Sequence, residues 1–248
     1  MDHRKGVNLI LAAFIISMVI LSTQVYVYRL SKRGSYSNCD YLSDYILGIK
    51  QNSEHAVTAS LINISKGGDN VVLGSNLDRW RSFVAGDYQF GRCDLNYTLQ
   101  DEGSYTDGVR IDWGVNGLGV SSAYADFTMN LSGRGVEADL IFSVNVTAYL
   151  DVSGYWEADS SDKWIYVDIV LRDEGGYALG SRFLVEYERQ KTWYNASDAP
   201  DYSWYDYGNG TYRCIFHPFL PGSEVQVRVS VHDRRDIYVQ AQQSLYDK

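Results

Sequence analysis

The chain of 248 residues has little of what several common protein classes require. Its three Cys are too few for a disulfide-stapled scaffold, and its four His share no metal-ligand spacing. Basic residues are also few: 22 Lys and Arg against 31 Asp and Glu give the chain a net charge of −9. This balance argues against nucleic-acid binding, because neutralising phosphates requires a basic surface. The sequence contains no Walker loop, nucleophile elbow, dinucleotide fingerprint or zinc-protease motif, so we expect no catalytic site and no cofactor.

The chain has an uncharged N-terminal run, Val7–Tyr28, in which none of the 22 residues carries a charge. As a helix the run measures about 33 Å, enough to cross a bilayer core of about 30 Å. Arg4 and Lys5 precede it, and Tyr26 lies where an interfacial aromatic belt is expected. The run is long for a core helix, and no small-x-small cleavage site follows it as in a secretory signal. The sequence therefore predicts a transmembrane anchor, with a buried helix and a cleaved signal as the alternatives.

The residues at the start of the run resemble the signal sequence of a known protein family. Arg4-Lys5-Gly6, followed directly by hydrophobic residues, resembles the class III signal of archaeal type IV pilin-like proteins. The resemblance implies that a prepilin peptidase cuts between Gly6 and Val7 and leaves the hydrophobic helix on the mature protein. In such proteins these helices assemble into a filament core. Polar Asn8 lies inside the run, which departs from the family pattern, and an uncleaved anchor is the alternative.

Half of the 12 Asn residues lie in Asn-x-Ser/Thr sequons, and all six sequons follow the hydrophobic run. Such sequons accept glycans only outside the cytosol. In three of them the Asn alternates with apolar residues at period two, so it faces away from the predicted core. These observations predict a glycosylated extracellular region. The candidate glycosylation sites are Asn63, Asn96, Asn130, Asn145, Asn195 and Asn209.

The rest of the chain divides into two predicted domains after an N-terminal segment of residues 1–34. In residues 35–152, apolar residues at helical spacing predict a helix over Asp40–Ile64 and a shorter one over Leu77–Val84. Period-two patterns then predict four strands, with Asn116-Gly117 as a hairpin turn. This part is expected to form a helix plus an antiparallel sheet. The predicted strands are Tyr88–Leu99, Val109–Val115, Ala123–Leu131 and Glu137–Val152.

Residues 153–248 read as short strands separated by Gly and Pro turns, which is typical of an antiparallel sandwich. The stretch from Asp206 to Tyr212, followed by Pro221-Gly222 and alternating valines, resembles the end of Ig-like modules of the filamin or invasin kind. The resemblance implies an Ig-like β-sandwich, although the inter-sheet Cys pair of antibody domains is absent. The predicted fold class is thus mainly β with an N-terminal transmembrane helix, comprising a helix-plus-sheet domain followed by an Ig-like sandwich. The predicted strands are Trp164–Arg172, Arg182–Arg189, Thr211–Phe216, Glu224–His232 and Asp236–Gln242.

Two side-chain features complete the predicted sites. Cys39 and Cys93 lie in the same predicted domain and are the candidate disulfide if the region is exported, whereas Cys214 is expected to be a buried thiol. The segment from Trp193 to Tyr207 interleaves aromatic residues with Asp, which suits a sugar or a protein partner, although its aromatics also suit the edge of a sandwich. The candidate ligand residues are Trp193, Tyr194, Tyr202, Trp204 and Tyr205.

Taken together, these features predict a single-pass protein of the cell membrane with its C-terminal domains outside the cell. We expect a structural or adhesive role, with a pilin-like assembly subunit as the sharper hypothesis. The expected partners are membrane lipid, further copies of the chain, and a surface protein or glycan. The alternative is a carbohydrate-binding surface receptor that uses the segment Trp193–Tyr207, and a surface hydrolase is a more distant third.

Overall fold

The computed structural model describes Gln24 and residues 42–87, 91–133, 136–159, 162–221 and 223–248. The chain divides into two compact units, Met1–Lys50 and Gln51–Lys248. In the first unit the described residues are helical. Apart from Gln24, the predicted membrane segment lies outside the described residues, as do Gly6, Val7 and Cys39.

The described residues include two helices, α1 over residues 42–65 and α2 over Val71–Asp87. Val57, Leu61 and Ile64 are buried at the spacing predicted from the sequence, so the helical pattern of α1 is confirmed. The helices pack through small buried residues of α1: the Oγ atoms of Ser53 and Ser60 accept hydrogen bonds from Trp80 (3.0 Å) and Asn76 (2.9 Å) of α2. Because Ser is small, the two helices can approach closely where these bonds form.

In the part of the chain that the structure describes, eleven strands follow the helices. Period-two alternation of buried and exposed residues accounts for most of them, and nine overlap strands predicted from the sequence. The two additional strands, β7 and β8, are only four residues long. The strands are β1 Arg92–Leu99, β2 Val109–Trp113, β3 Leu118–Gly133, β4 Val136–Asp159, β5 Asp162–Arg172, β6 Gly180–Arg189, β7 Thr192–Asn195, β8 Ser203–Asp206, β9 Thr211–Phe216, β10 Val225–Asp233 and β11 Tyr238–Asp247.

All eleven strands belong to one connected sheet. β1 and β2 each pair with β3, which pairs with the first part of β4. The remaining order is β7-β6-β10-β11-β4-β5-β9-β8, in which every pairing is antiparallel except the short parallel one between β11 and β4. The 24-residue strand β4 pairs with β3, β5 and β11 and therefore connects the two parts of the sheet.

The strands enclose apolar side chains on two sides of β4. The inner face of β1 and β3, with Leu95, Phe127 and Met129, is buried, and the Tyr97 hydroxyl of β1 donates a hydrogen bond to the Gly74 carbonyl of α2 (3.1 Å). Burying such side chains is worth about 1.5–3 kcal/mol each. This half of the sheet is thus held by packing against the helices.

Beyond β4, the strands β4-β5-β9-β8 and β7-β6-β10-β11 face each other through their buried side chains. Phe183 of β6 contacts Tyr212 of β9 and Trp204 of β8 at ring-centroid distances of 4.4 and 4.9 Å. The Tyr212 hydroxyl accepts a hydrogen bond from the backbone amide of Gly180 at the start of β6 (2.9 Å). One buried tyrosine therefore joins the two layers by both packing and a hydrogen bond.

The structure corrects the predicted fold class. The described fold is mainly β, whereas the predicted class added an N-terminal transmembrane helix; among the described residues no helix is both long and apolar enough to span a membrane. The described strands also form one connected sheet and not two separate sheets. The physical reason is that β4 runs through the predicted boundary at residue 153 and pairs with β3 on one side and β5 on the other. The boundary itself stays a prediction.

Candidate functional site

The outward face of strands β4, β5, β9 and β8, together with the end of β11, carries a row of tyrosines at positions where polar residues are expected. On β5, buried Ile165 and Val167 alternate with outward Tyr166, which pairs with Tyr155 of β4. Tyr205 of β8 pairs with Arg213 of β9 and therefore shares this face. We call this surface the tyrosine face and define it by the following residues: Tyr155, Tyr166, Asp168, Tyr205, Tyr207, Arg213 and Tyr246.

Several side chains of the tyrosine face are open to solvent. Tyr246 is 63% exposed, Tyr207 56% and Tyr205 47%. Large apolar rings on a protein surface are informative when they are contiguous, because contiguous patches mark interaction sites. The row therefore qualifies as a candidate recognition surface.

The rings at one end of the face stand upright on the sheet. Tyr155 stacks on Tyr166 at 4.7 Å with an interplanar angle of 19°, and Tyr246 lies 6.1 Å from Tyr155. Because paired residues are separated within the plane of the sheet, rings stacked between them must have their planes roughly perpendicular to it. Their faces contact one another, so the ring edges and hydroxyl groups point outward. The Lys248 ammonium also lies 4.4 Å from the Tyr155 ring centroid.

A bidentate ion pair lies in the middle of the face. Arg213 donates from Nε and Nη2 to the two carboxylate oxygens of Asp168, at 2.6 and 2.8 Å. The hydrogen bond to Asp168 raises the pKa of the Arg213 guanidinium. Such fork-to-fork pairs hold a planar group in a fixed orientation, so this part of the face presents rigid charge.

Next to the tyrosine row, Trp164 of β5 stacks on His217 at 4.4 Å with nearly parallel planes. The two ring nitrogens of His217 face carboxylates: Nε2 lies 3.6 Å from Asp159 and Nδ1 lies 3.5 Å from Asp201. This end of the face is therefore aromatic and acidic. Among the described residues, no cluster of three His, Cys, Asp or Glu side chains is placed to hold a metal ion.

The residues of the predicted ligand segment are distributed over two sheet edges. Trp193 and Tyr194 lie on β7, whereas Trp204 and Tyr205 lie on β8 at the other end of the strand order. Of the five candidate ligand residues only Tyr205 belongs to the tyrosine face, and Tyr207 at the end of the segment also belongs to it. The segment therefore does not form one continuous surface.

Both tryptophans of that segment have ring contacts of their own. The Arg228 guanidinium lies 4.5 Å from the Trp193 ring centroid, and Trp204 stacks on Tyr212 at 5.6 Å. Tyr202 lies against Cys214, and burial raises the pKa of its hydroxyl to about 12. These contacts match the interpretation of the aromatics as cover for the sheet edge.

The sequon residues lie mostly at the surface. Five of the six Asn are exposed, and Asn195 is half-buried because its side chain accepts a hydrogen bond from the Ser197 amide (3.0 Å). Asn96, Asn130 and Asn145 share the outward face of β1, β3 and β4, as their pairings require. Their modification stays a prediction.

The cysteines are partly described. Cys93 is buried on the inner face of β1, while its predicted partner Cys39 lies outside the described residues, so the disulfide stays a prediction. Cys214 is a buried free thiol, as expected. Burial raises the pKa of this thiol to about 12, and a hydrogen bond with Tyr202 lowers it in part.

Comparison with known proteins finds no match: no family model, no curated protein and no solved structure is significantly similar to the chain. The resemblances to pilin-like proteins and to Ig-like modules therefore stay predictions. The function has to be argued from the surface of the molecule.

Sequence reasoning missed the tyrosine face because its residues come from separate segments. Tyr155, Tyr166 and Tyr246 are up to 91 positions apart in the chain, and only the strand order brings them together. One signal was present in the sequence. On β5 the outward positions Trp164 and Tyr166 are aromatic, which is unusual for the solvent side of a strand whose other side is apolar.

Proposed function

We propose that the chain is an exported, glycosylated surface protein with an adhesive role, which binds a protein partner through the tyrosine face. The observation that carries the proposal is the row formed by exposed Tyr205, Tyr207 and Tyr246 and half-buried Tyr155 around the ion pair of Arg213. Tyr and Arg are the side chains most enriched among the residues that dominate protein–protein binding energy. A rigid sheet also presents them without a large ordering cost.

The orientation of the rings favours a protein partner over a sugar. A sugar ring stacks on an open aromatic face, but the faces of Tyr155 and Tyr166 contact each other, and Trp164 is covered by His217. The edges and hydroxyl groups of these stacked rings suit hydrogen bonds and side-chain packing with a protein. The carbohydrate-receptor alternative has less support for the same reason, since Trp193 and Trp204 are also in ring contacts.

The charge of the face indicates the chemistry of the partner. Arg213 and Lys248 are each paired with a carboxylate of the same face, Asp168 and Glu157. Asp159 and Asp201 face only His217 among these contacts, so the face has a surplus of acid. We therefore expect a partner that presents Lys or Arg, because complementary charge steers association and fixes orientation.

Export is supported by the sequons. Five sequon residues are exposed, and none of the six is among the residues that define the tyrosine face, although Asn209 lies two positions after Tyr207. The part of the chain after residue 34 carries 17 basic and 30 acidic residues, and such a surface keeps an exported protein soluble.

Saturation binding tests the proposal. Fluorescently labelled full-length chain is added to source cells from which its own gene has been deleted, and the dissociation constant is measured. Replacing two exposed residues of the tyrosine face (Tyr205→Ala with Tyr246→Ala) is expected to weaken binding about tenfold or more, since truncating one dominant interface residue costs about 2 kcal/mol.

The matched control is Phe83→Ala on α2, an aromatic ring that is 58% exposed and lies outside the tyrosine face. It is expected to bind as the unchanged protein does. Equal losses in both variants, unchanged binding by the tyrosine variant, or no saturable binding of the unchanged protein would each contradict the proposal.

A further inference from the structure

Three turns meet around a cleft at one end of the two facing layers. They connect β5 to β6, β8 to β9 and β10 to β11, and the cleft between them has a volume of about 500 Å³. That volume lies within the range of pockets that hold small molecules. The residues that matter here are Tyr177 from the first turn, Asn209 from the second and Arg234 from the third.

The wall formed by the third turn is rigid. Buried Asp233 accepts hydrogen bonds from the backbone amides of Arg235 and Ile237, both at 2.9 Å. The Arg235 guanidinium in turn donates to Asp233 (2.8 Å) and to Glu174 of the first turn (2.7 Å). Two of the three turns are thus tied together by charge-assisted hydrogen bonds. The cleft is part of the fixed frame of the molecule.

Asn209, a sequon residue, is presented at the tip of the second turn. Its carbonyl oxygen accepts hydrogen bonds from the amide (3.2 Å) and the hydroxyl (2.5 Å) of Thr211, the third residue of the sequon. The backbone N–H of Thr211 can only donate, so the Asn209 atom that it contacts is the side-chain oxygen. The side-chain nitrogen of Asn209 takes no part in these two hydrogen bonds. Gly210 has φ +82°, and a Cβ there would lie 2.6 Å from the Ala178 carbonyl, so the turn is shaped for glycine.

We propose that the glycan attached to Asn209 folds back into this cleft, where its first sugars pack on Tyr177 and stabilise the three turns. The inference rests on the export that the proposed function includes. Tyr177 is 62% exposed, and Arg172 lies 5.3 Å from its ring centroid. The apolar C–H face of a sugar pairs with an aromatic ring, and Arg234 adds hydrogen-bond donors for hydroxyl groups.

The attachment itself is ordinary group transfer. The Asn209 side-chain nitrogen forms a bond to the anomeric carbon of a lipid-phosphate-linked oligosaccharide, which the cell supplies as the activated donor. The bond from that carbon to the phosphate oxygen breaks, and the phosphate leaves with the electron pair. The amide nitrogen loses one proton. The sequon hydroxyl of Thr211 already contacts the side chain that reacts.

A thermodynamic cycle tests the inference. Full-length chain is produced with and without glycans, each with Tyr177 or with Tyr177→Ala, and the four unfolding midpoints are measured. The glycan is expected to raise the midpoint by about 2–4 °C when Tyr177 is present, the shift that about 1 kcal/mol gives for a domain of this size. The increment should largely disappear with Tyr177→Ala.

The control separates this site from glycosylation in general. Asn96, on the outward face of β1, is exposed and does not line the cleft. Removing the sequon there with Asn96→Gln should leave the increment intact, whereas Asn209→Gln should remove it. An increment that survives Tyr177→Ala, or that follows Asn96, would overturn the inference. Source-derived protein with all six sequons unmodified would instead contradict the proposed export.

Discussion

At the scale of single residues, Cys214 shows what a period-two sequence pattern can predict and what it cannot. The sequence places this residue in phase with Tyr212 and Phe216, and all three are buried on the inner face of β9. The pattern could predict burial because it depends only on neighbours along one strand. It could not predict the contact with Tyr202, which comes from the adjacent edge of the sheet.

This contact has a consequence for pH. Burial raises the pKa of the Cys214 thiol from 9.0 to about 12, so the folded protein holds this proton more tightly than the unfolded chain does. The contribution to stability is complete below pH 9 and is lost as pH rises towards 12. We expect the free energy of unfolding to fall over this range less steeply in Cys214→Ala.

Urea denaturation at several pH values between 8 and 11 measures this difference. The two proteins are compared by slope, since the replacement also removes packing at every pH. Parallel curves for the two proteins would show that the thiol keeps its ordinary pKa in the fold.

At the scale of elements, the strands were largely predictable, but their arrangement was not. The inward rows of β3 and β4, such as Phe127, Met129 and Val146, are buried as their phase predicts. The extension of β4 to Asp159 and its parallel pairing with β11 were not foreseen. Register and partner choice depend on tertiary packing between distant segments, which period and turn signals do not encode.

A close approach between β3 and β11 gives an element-level prediction. A Cβ on Gly119 would lie 2.1 Å from the Gln240 carbonyl oxygen of β11. Both backbones are fixed by their ladders, with Gly119 opposite Leu150 and Gln240 opposite Ser230, so no side-chain rotation can relieve the clash. We expect Gly119→Ala to lower the free energy of unfolding by about 1–3 kcal/mol in urea denaturation.

The control for this prediction is Gly175→Ala. Gly175 lies in the exposed turn after β5, and no atom would lie within 4 Å of its added Cβ. Its stability should stay within about 0.5 kcal/mol of the unchanged protein. If both replacements had the same effect, the contact between β3 and β11 would be looser than the structure shows.

At the scale of the whole molecule, the surface is divided by chemistry. Three sequons lie where β1, β3 and the first part of β4 face outward, and the tyrosine face lies along the second part of β4 and its neighbours. Asn145 and Tyr155 share one face of β4 and are ten residues, or about 33 Å, apart. Glycans on these three Asn residues and the proposed partner therefore use different parts of the molecule.

The sequence could predict the outward sequons but not the tyrosine face. Sequons and strand phase are local, so outward Asn residues were identifiable one strand at a time. The tyrosine face needs five strands to be placed side by side, and its ring geometry depends on their register. This dependence on strand order explains why the predicted ligand segment contributes only Tyr205 and Tyr207 to the tyrosine face.

Residue-resolved labelling tests the central claim most directly, because it reports export and contact together. Intact source cells and protein purified from them are treated with a membrane-impermeant tyrosine reagent, and modification of each tyrosine is quantified by mass spectrometry. Tyr194, 44% exposed and outside the tyrosine face, should be modified equally in both samples. Tyr205, Tyr207 and Tyr246 should be modified several-fold less on cells. Equal modification of all four residues in both samples, or no modification on intact cells, would contradict the account.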